Sequence, residues 1–293
     1  EASFSSITYG LNDLLFPLLN KYNIKSTLFL SPEVLENKQC ISTLLNNQSE
    51  NIEYATHLHG EFISPAKTLY PDNMQYKKAD KFQTEYSVEV EFQKLKNLTE
   101  KFKDIFGKLP TSFRAGRYAT REETYKHLID LGYKIDSSIT PGLKWTNNNN
   151  NIDYSKKNND IFIFNYNNKK MLCCPISIQR KYKNLNFIYN LYNKKKLNNI
   201  IFNKIFSKML GYNWLRPAYN KNYNLINYIK KYDQENYILL MHSNEITINT
   251  SPYTVNKYSQ NKLLQSLEDL FIYISSNKFN SLKLNDLLKN FGI

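Results

Sequence analysis

The strongest constraint on the fold is an alternation along the chain. Short apolar segments with strand character are separated by stretches with helical spacing. Leu11, Leu14, Leu15, Leu18, Leu19 and Tyr22 recur at helical intervals, and Ser26 to Leu30 then reads as a short buried strand. Ile52 to His57 is a second strand. Val88, Phe92, Leu95, Phe102 and Ile105 mark a long helix that Gly107 and Pro110 stop. Thr120-Arg121-Glu122-Glu123 has the form of a capping box opening another helix, which Gly132 closes. Tyr133 to Ile139, Ile161 to Tyr166, Met171 to Ile178 and Tyr237 to Met241 read as further strands. Leu263, Leu264, Leu267, Leu270, Phe271 and Ile274 make a late amphipathic helix. Strands separated by helices imply βαβ units, and so a parallel sheet or barrel. No linker divides the chain, so 1–293 is expected to be one domain.

Composition narrows the class. With 17 Phe and 23 Tyr the chain is not disordered, and at 293 residues it buries a core without disulfides. The three cysteines (Cys40, Cys173, Cys174) form no C-x-x-C, so neither a disulfide framework nor a cysteine zinc site is expected. No apolar run approaches the roughly 20 residues of a membrane span. The start, Glu1-Ala2-Ser3-Phe4, has no basic region and reads as an internal cut rather than a signal peptide, and a cytoplasmic, bacterial-type setting is expected. The net charge of +13 suggests a polyanion partner. Yet only five of the 39 basic residues are arginine, whereas phosphate readers favour arginine forks, so nucleic acid is not expected. Asn147 to Asn151 is a low-complexity loop. Arg180 to Lys208 is a basic, aromatic excursion.

The chemistry concentrates around three of the four histidines. In Ala55-Thr56-His57-Leu58-His59-Gly60-Glu61, extended backbone would turn His57, His59 and Glu61 to one face, as metal ligands require. Imidazoles with a carboxylate and open positions suit catalytic zinc or a related divalent ion. Ser112-Phe113-Arg114-Ala115-Gly116-Arg117-Tyr118 places two arginines around a glycine, suited to orienting a carboxylate or anionic group. His242 ends the apolar run Leu239-Leu240-Met241, at the kind of strand end where α/β folds gather their active sites. His127 lies within a helix and is expected to have no role.

Taken together, these segments resemble the polysaccharide deacetylase family, the NodB homology type. Lys25 to Leu30 looks like its strand after the first helix, Glu53 to His59 its metal-binding motif, and Phe113 to Tyr118 its third motif. Asp136-Ser137-Ser138-Ile139 with Trp145 resembles the fourth motif and Leu240-Met241-His242-Ser243 the fifth; Ser251-Pro252-Tyr253 also looks like members linked to surface polysaccharide assembly. The resemblance runs from about Leu11 to Leu288. It implies a distorted seven- or eight-stranded β/α barrel, and a divalent-metal hydrolase, zinc being expected, that removes N- or O-acetyl groups from a glycan. His242 would be the general acid, Asp136 would hold its tautomer, and Arg114 would fix the base carboxylate. Arg117, Tyr118 and Trp145 would bind sugar. One departure is Glu61, which stands four after His57 where the family usually has histidine. Another is the family's acidic motif on the first strand. Glu1 stands about where that motif ends and is a candidate catalytic acid, so the first strand and its Asp are expected upstream of residue 1. A glycan-binding relic of the same fold is the alternative expectation.

Overall fold

The structure is a computed structural model that describes residues 4–68, 82–147, 150–181, 211–219 and 224–293. Its centre is a six-stranded sheet. A wide helical stretch, Ser6–Leu15, runs into α1 (Phe16–Lys21) and leads to β1 (Ser26–Leu30). Then follow α2 (Lys38–Asn46), β2 (Ile52–Leu58), α3 (Val88–Phe106), β3 (Ser112–Ala115), α4 (Glu122–Asp130) and β4 (Ile135–Asp136). β5 (Lys144–Asn147) and β6 (Asn150–Asp153) form a hairpin off the sheet. β7 (Phe162–Tyr166) and β8 (Lys169–Cys173) complete the sheet in the order β1-β2-β3-β4-β8-β7. All pairings are parallel except that of β7 with β8. β9 (Ile178–Arg180) and β10 (Tyr212–Trp214) make a separate ladder. α5 (Leu225–Lys231), α6 (Lys257–Ser276) and α7 (Leu288–Phe291) end the chain.

Local chemistry explains the helix limits. Ser87 caps α3 by accepting from the Val90 amide at 3.3 Å, and Gly107 ends it at φ 70°, a left-handed cap that glycine adopts without strain. The start of α4 differs from expectation. Its N-cap is Arg121, whose amide donates to Thr124 Oγ1 at 3.2 Å. The Thr120 hydroxyl is engaged instead by Tyr125 and Tyr154, at 2.8 and 2.7 Å.

Three further expectations are corrected. Among the described residues the sheet is open, with β1 and β7 at its edges, and no closed barrel of seven or eight strands forms. Residues 237–241 are not a sheet strand: Ile238 O accepts from Ser177 N at 3.1 Å and Leu240 N donates to Leu215 O at 3.0 Å, so these residues pair with loop backbone. The ends of the asparagine-rich stretch 147–151 belong to β5 and β6 rather than to a free loop. Residues 182–208 of the basic excursion lie outside the described residues. No described helix is long and apolar enough to cross a membrane.

The register decides which side chains can meet. His57 on β2 pairs with Arg114 on β3, so their side chains share a face, with Ser112 and Glu53. Glu53 ties this polar face together. It accepts from Thr27 Oγ1 at 2.8 Å, Ser112 Oγ at 2.6 Å and the Asn285 amide at 3.0 Å. Asp136 on β4 pairs with Phe113, and therefore points to the opposite, helix-covered face.

Candidate active site

His57 and His59 come together where β2 ends. Their ring centroids are 4.6 Å apart. His59 keeps an extended backbone at φ −100° and ψ 95°, so the alternation carries it to the side of His57. Each ring is oriented through Nδ1. His57 Nδ1 lies 2.8 Å from Arg114 O, and since a carbonyl only accepts, Nδ1 carries the hydrogen and Nε2 presents its lone pair. His59 Nδ1 lies 3.4 Å from the Glu33 carboxylate. Burial, with help from the neighbouring His59 charge, holds the His57 pKa well below its usual value. For His59 burial opposes the charged form, but the Glu33 carboxylate outweighs it and raises the pKa.

Glu61 does not follow the two histidines. Gly60–Phe62 tightens into a 3₁₀ turn, which breaks the strand alternation, and Glu61 Oε1 accepts from Arg117 Nη2 at 2.8 Å. Its Oε2 is buried without a hydrogen-bond partner. Among the described residues no group of three or more His, Cys, Asp or Glu side chains is arranged to hold a metal ion. The imidazole pair thus suits two ligand positions, each ring having its Nδ1 beside Arg114 O or the Glu33 carboxylate, as metal-binding histidines usually do. The expected third ligand does not join it.

Gly116 explains the close approach of β3 to this pair. A Cβ there would lie 2.3 Å from Leu58 O and 3.0 Å from His59 Cδ2. The carbonyl is backbone and cannot step aside. Gly116→Ala is therefore expected to destabilise the fold by about 1–3 kcal/mol and to displace His59. Urea unfolding together with zinc titration checks this; unchanged stability and zinc affinity would contradict it. Beyond Gly116, Arg117 and Tyr118 adopt left-handed φ of 52° and 62°, a conformation costly for non-glycine residues that presents both side chains from one tight turn.

Arg114 is buried and stacks 4.2 Å above the Phe29 ring. Its described hydrogen-bond partners are Ser137 O and Ser137 Oγ, both at 2.8 Å, in place of the expected base carboxylate. Burial lowers its pKa to about 10, so it stays a cation at neutral pH. Asp136 meets neither Arg114 nor His242 by hydrogen bond. Its carboxylate accepts from Ser138 N at 3.0 Å and from Ser138 Oγ at 2.5 Å, on the other side of the sheet.

Burial raises the Asp136 pKa from 3.8 to about 6. The folded state then keeps a proton that the unfolded chain has lost, so stability falls as pH rises through that window. The loss is about 1.4 kcal/mol per pKa unit, on the order of 3 kcal/mol in all. Asp136→Asn is expected to flatten this fall, measured by thermal melts near pH 4 and near pH 7. A variant with the wild-type difference between the two melts would contradict the assignment.

His242 is distant from His57 in sequence, yet its charge is among the lesser influences that lower the His57 pKa. Its side chain is 47% exposed, while its neighbour Glu245 is buried. Nδ1 of His242 lies 3.0 Å from Glu245 Oε1 and 3.0 Å from Arg216 Nη2. Arg216 and Glu245 were not legible as site residues: Glu245 follows His242 by three, and that spacing on a short turn is the one signal available. Glu33 was missed for a similar reason, since only the fold brings it to His59.

A chain of aromatic rings packs beside the His242 cluster. Tyr118 packs 5.4 Å from Trp145 and 6.0 Å from Trp214. Trp214 contacts Tyr219 at 5.4 Å, and Tyr219 contacts Tyr253 at 5.7 Å. Arg216 lies 4.0 Å over the Tyr219 ring, joining this wall to the His242 cluster. Trp145 is also fixed by its Nε1 donating to Thr140 Oγ1 at 2.8 Å. Glu1 lies outside the described residues.

No protein-family model matches the chain, and no curated protein sequence matches it. Solved structures do. A Mycobacterium smegmatis protein assigned as a polysaccharide deacetylase aligns with a TM-score of 0.40 and 14% identity, over 59% of this chain and 48% of that one. The chain thus spans about half the length of that protein. The peptidoglycan deacetylase PdaC from Bacillus subtilis aligns with a TM-score of 0.44 and 9% identity, over 98% of this chain and 86% of that one. The chain is structurally similar to these polysaccharide deacetylases.

Proposed function

We propose that this chain is a metal-dependent hydrolase that removes acetyl groups from a cell-surface polysaccharide or its precursor. One observation carries the reading. Three of the four histidines each have Nδ1 beside an orienting partner (Arg114 O, Glu33 and Glu245), and the rings of His57 and His59 lie 4.6 Å apart. That arrangement leaves Nε2 of each ring for chemistry.

His57 and His59 are the residues that would hold the divalent ion, and a nitrogen donor pair favours zinc. When bound, such an ion polarises an acetyl carbonyl and makes water more acidic. Holding His57 neutral keeps its Nε2 lone pair available at ordinary pH. The exposed His242 ring is the group that delivers a proton to the departing sugar nitrogen or oxygen. The water proton needs a carboxylate, for which Glu1 and Glu61 are the candidates. Glu61 has one oxygen on Arg117 and the other buried and unpartnered. Tyr118 and Trp145 offer ring faces to a sugar. Asp136 has no part in this proton path, because it lies across the sheet.

Acetate release from acetylated chitin and peptidoglycan oligomers, and from O-acetylated glycans, tests the proposal. Zinc-dependent release that chelation abolishes is expected. Glycan binding with no release under any metal would instead make the chain a non-catalytic relic of the fold.

A further inference from the structure

We propose that Glu245, clamped by Arg216, sets the orientation and tautomer of His242, the task that the resemblance gives to Asp136. The inference rests on the reading of His242 as proton donor, and it goes further by naming the group that holds the ring.

Asp136 cannot reach the ring, because the β3–β4 register turns it to the helix-covered face and Ser138 occupies both of its oxygens. Glu245 is fully buried, three residues after His242 on the short turn Ser243–Glu245. Its Oε1 lies 3.0 Å from His242 Nδ1 and accepts from the His242 amide at 3.3 Å. One oxygen thus grips both the ring and the backbone of the same residue. Arg216 fixes that oxygen. Its Nε donates to Oε1 at 2.9 Å, and its Nη2 makes a still shorter bond to the same atom. Nη2 also lies 3.0 Å from Nδ1, but its closest contact is the carboxylate, so the guanidinium acts as a clamp on Glu245. Arg216 is in turn packed over Tyr219. The anchored carboxylate accepts the Nδ1 hydrogen, which leaves Nε2 of the half-exposed ring to take a second proton and so make it an acid. Glu245 is a positioning residue, since it acts through the ring and touches no reacting atom.

Ring ¹⁵N chemical shifts of the full chain, recorded where the imidazoles are neutral, test this. Four histidines make assignment by single replacement practicable. His242 is expected to carry its hydrogen on Nδ1. A hydrogen on Nε2 would overturn the proposal from the wild-type spectrum alone, without any variant having to fold. Glu245→Gln is expected to mix the tautomers and to lower kcat about a hundredfold with KM little changed, and Asp136→Asn to leave the His242 signals unmoved. A His242 shift that responds to Asp136→Asn and ignores Glu245→Gln would also overturn it. The spectra do not depend on turnover, so an inactive chain with the expected tautomer would count against the deacetylase reading and not against this one.

Discussion

His242→Ala is expected to lower the rate of acetate release about a hundredfold to ten-thousandfold, the usual contribution of a positioned acid, while leaving the fold intact. Both halves follow from where the ring sits. It is 47% exposed, so its removal opens no cavity. Glu245 and Arg216 are buried beneath it and stay paired with one another, so no charge is stranded. The loss should fall on kcat, because a proton donor acts on the leaving group rather than on ground-state binding. Steady-state kinetics with a urea titration separates the two effects. Unchanged turnover in a folded variant would remove His242 from the reaction.

Lys94→Met is expected to have the largest effect on stability, on the order of 3–5 kcal/mol. Lys94 is fully buried in α3, which is rare for lysine unless every donor is used. Its ammonium donates to Gly60 O and Ile63 O, both at 2.7 Å, and to Pro65 O, and it lies 4.4 Å over the Tyr86 ring. These carbonyls belong to the segment directly after His59. Methionine fills similar space but satisfies none of them, and each orphaned carbonyl costs about 1–3 kcal/mol. Because that segment also carries Glu61, the Glu61–Arg117 ion pair should loosen with it. A Tm and urea midpoint equal to the wild type would show that the ammonium is dispensable.

Much of the sheet was legible. β1, β2, α3 and α4 declare themselves through apolar period and terminal glycines, because those signals are local. The failures are of another kind. Residues 237–241 have the apolar run of a strand, but ladder pairing is decided by neighbours, and these residues bond to loop backbone near Ser177 and Leu215 instead. The His57 and His59 spacing predicted a common side and the rings do meet. Extending the same alternation to Glu61 failed, because Gly60 begins a tight turn. Asp136 illustrates the limit of motif order. One residue of register decides whether a strand side chain faces the cleft or the helices, and no motif carries that information. Arg216 and Glu33 come from loops far from the histidines in sequence, and only the assembled fold brings them close.

X-ray absorption of the zinc-loaded chain, compared with His57→Ala and His59→Ala, shows whether His57 and His59 form one ligand pair through Nε2. Two imidazole nitrogens are expected at about 2.0–2.1 Å from the metal, with the loss of one in each variant. Zinc whose nitrogen shell is unchanged by either replacement would contradict the pairing.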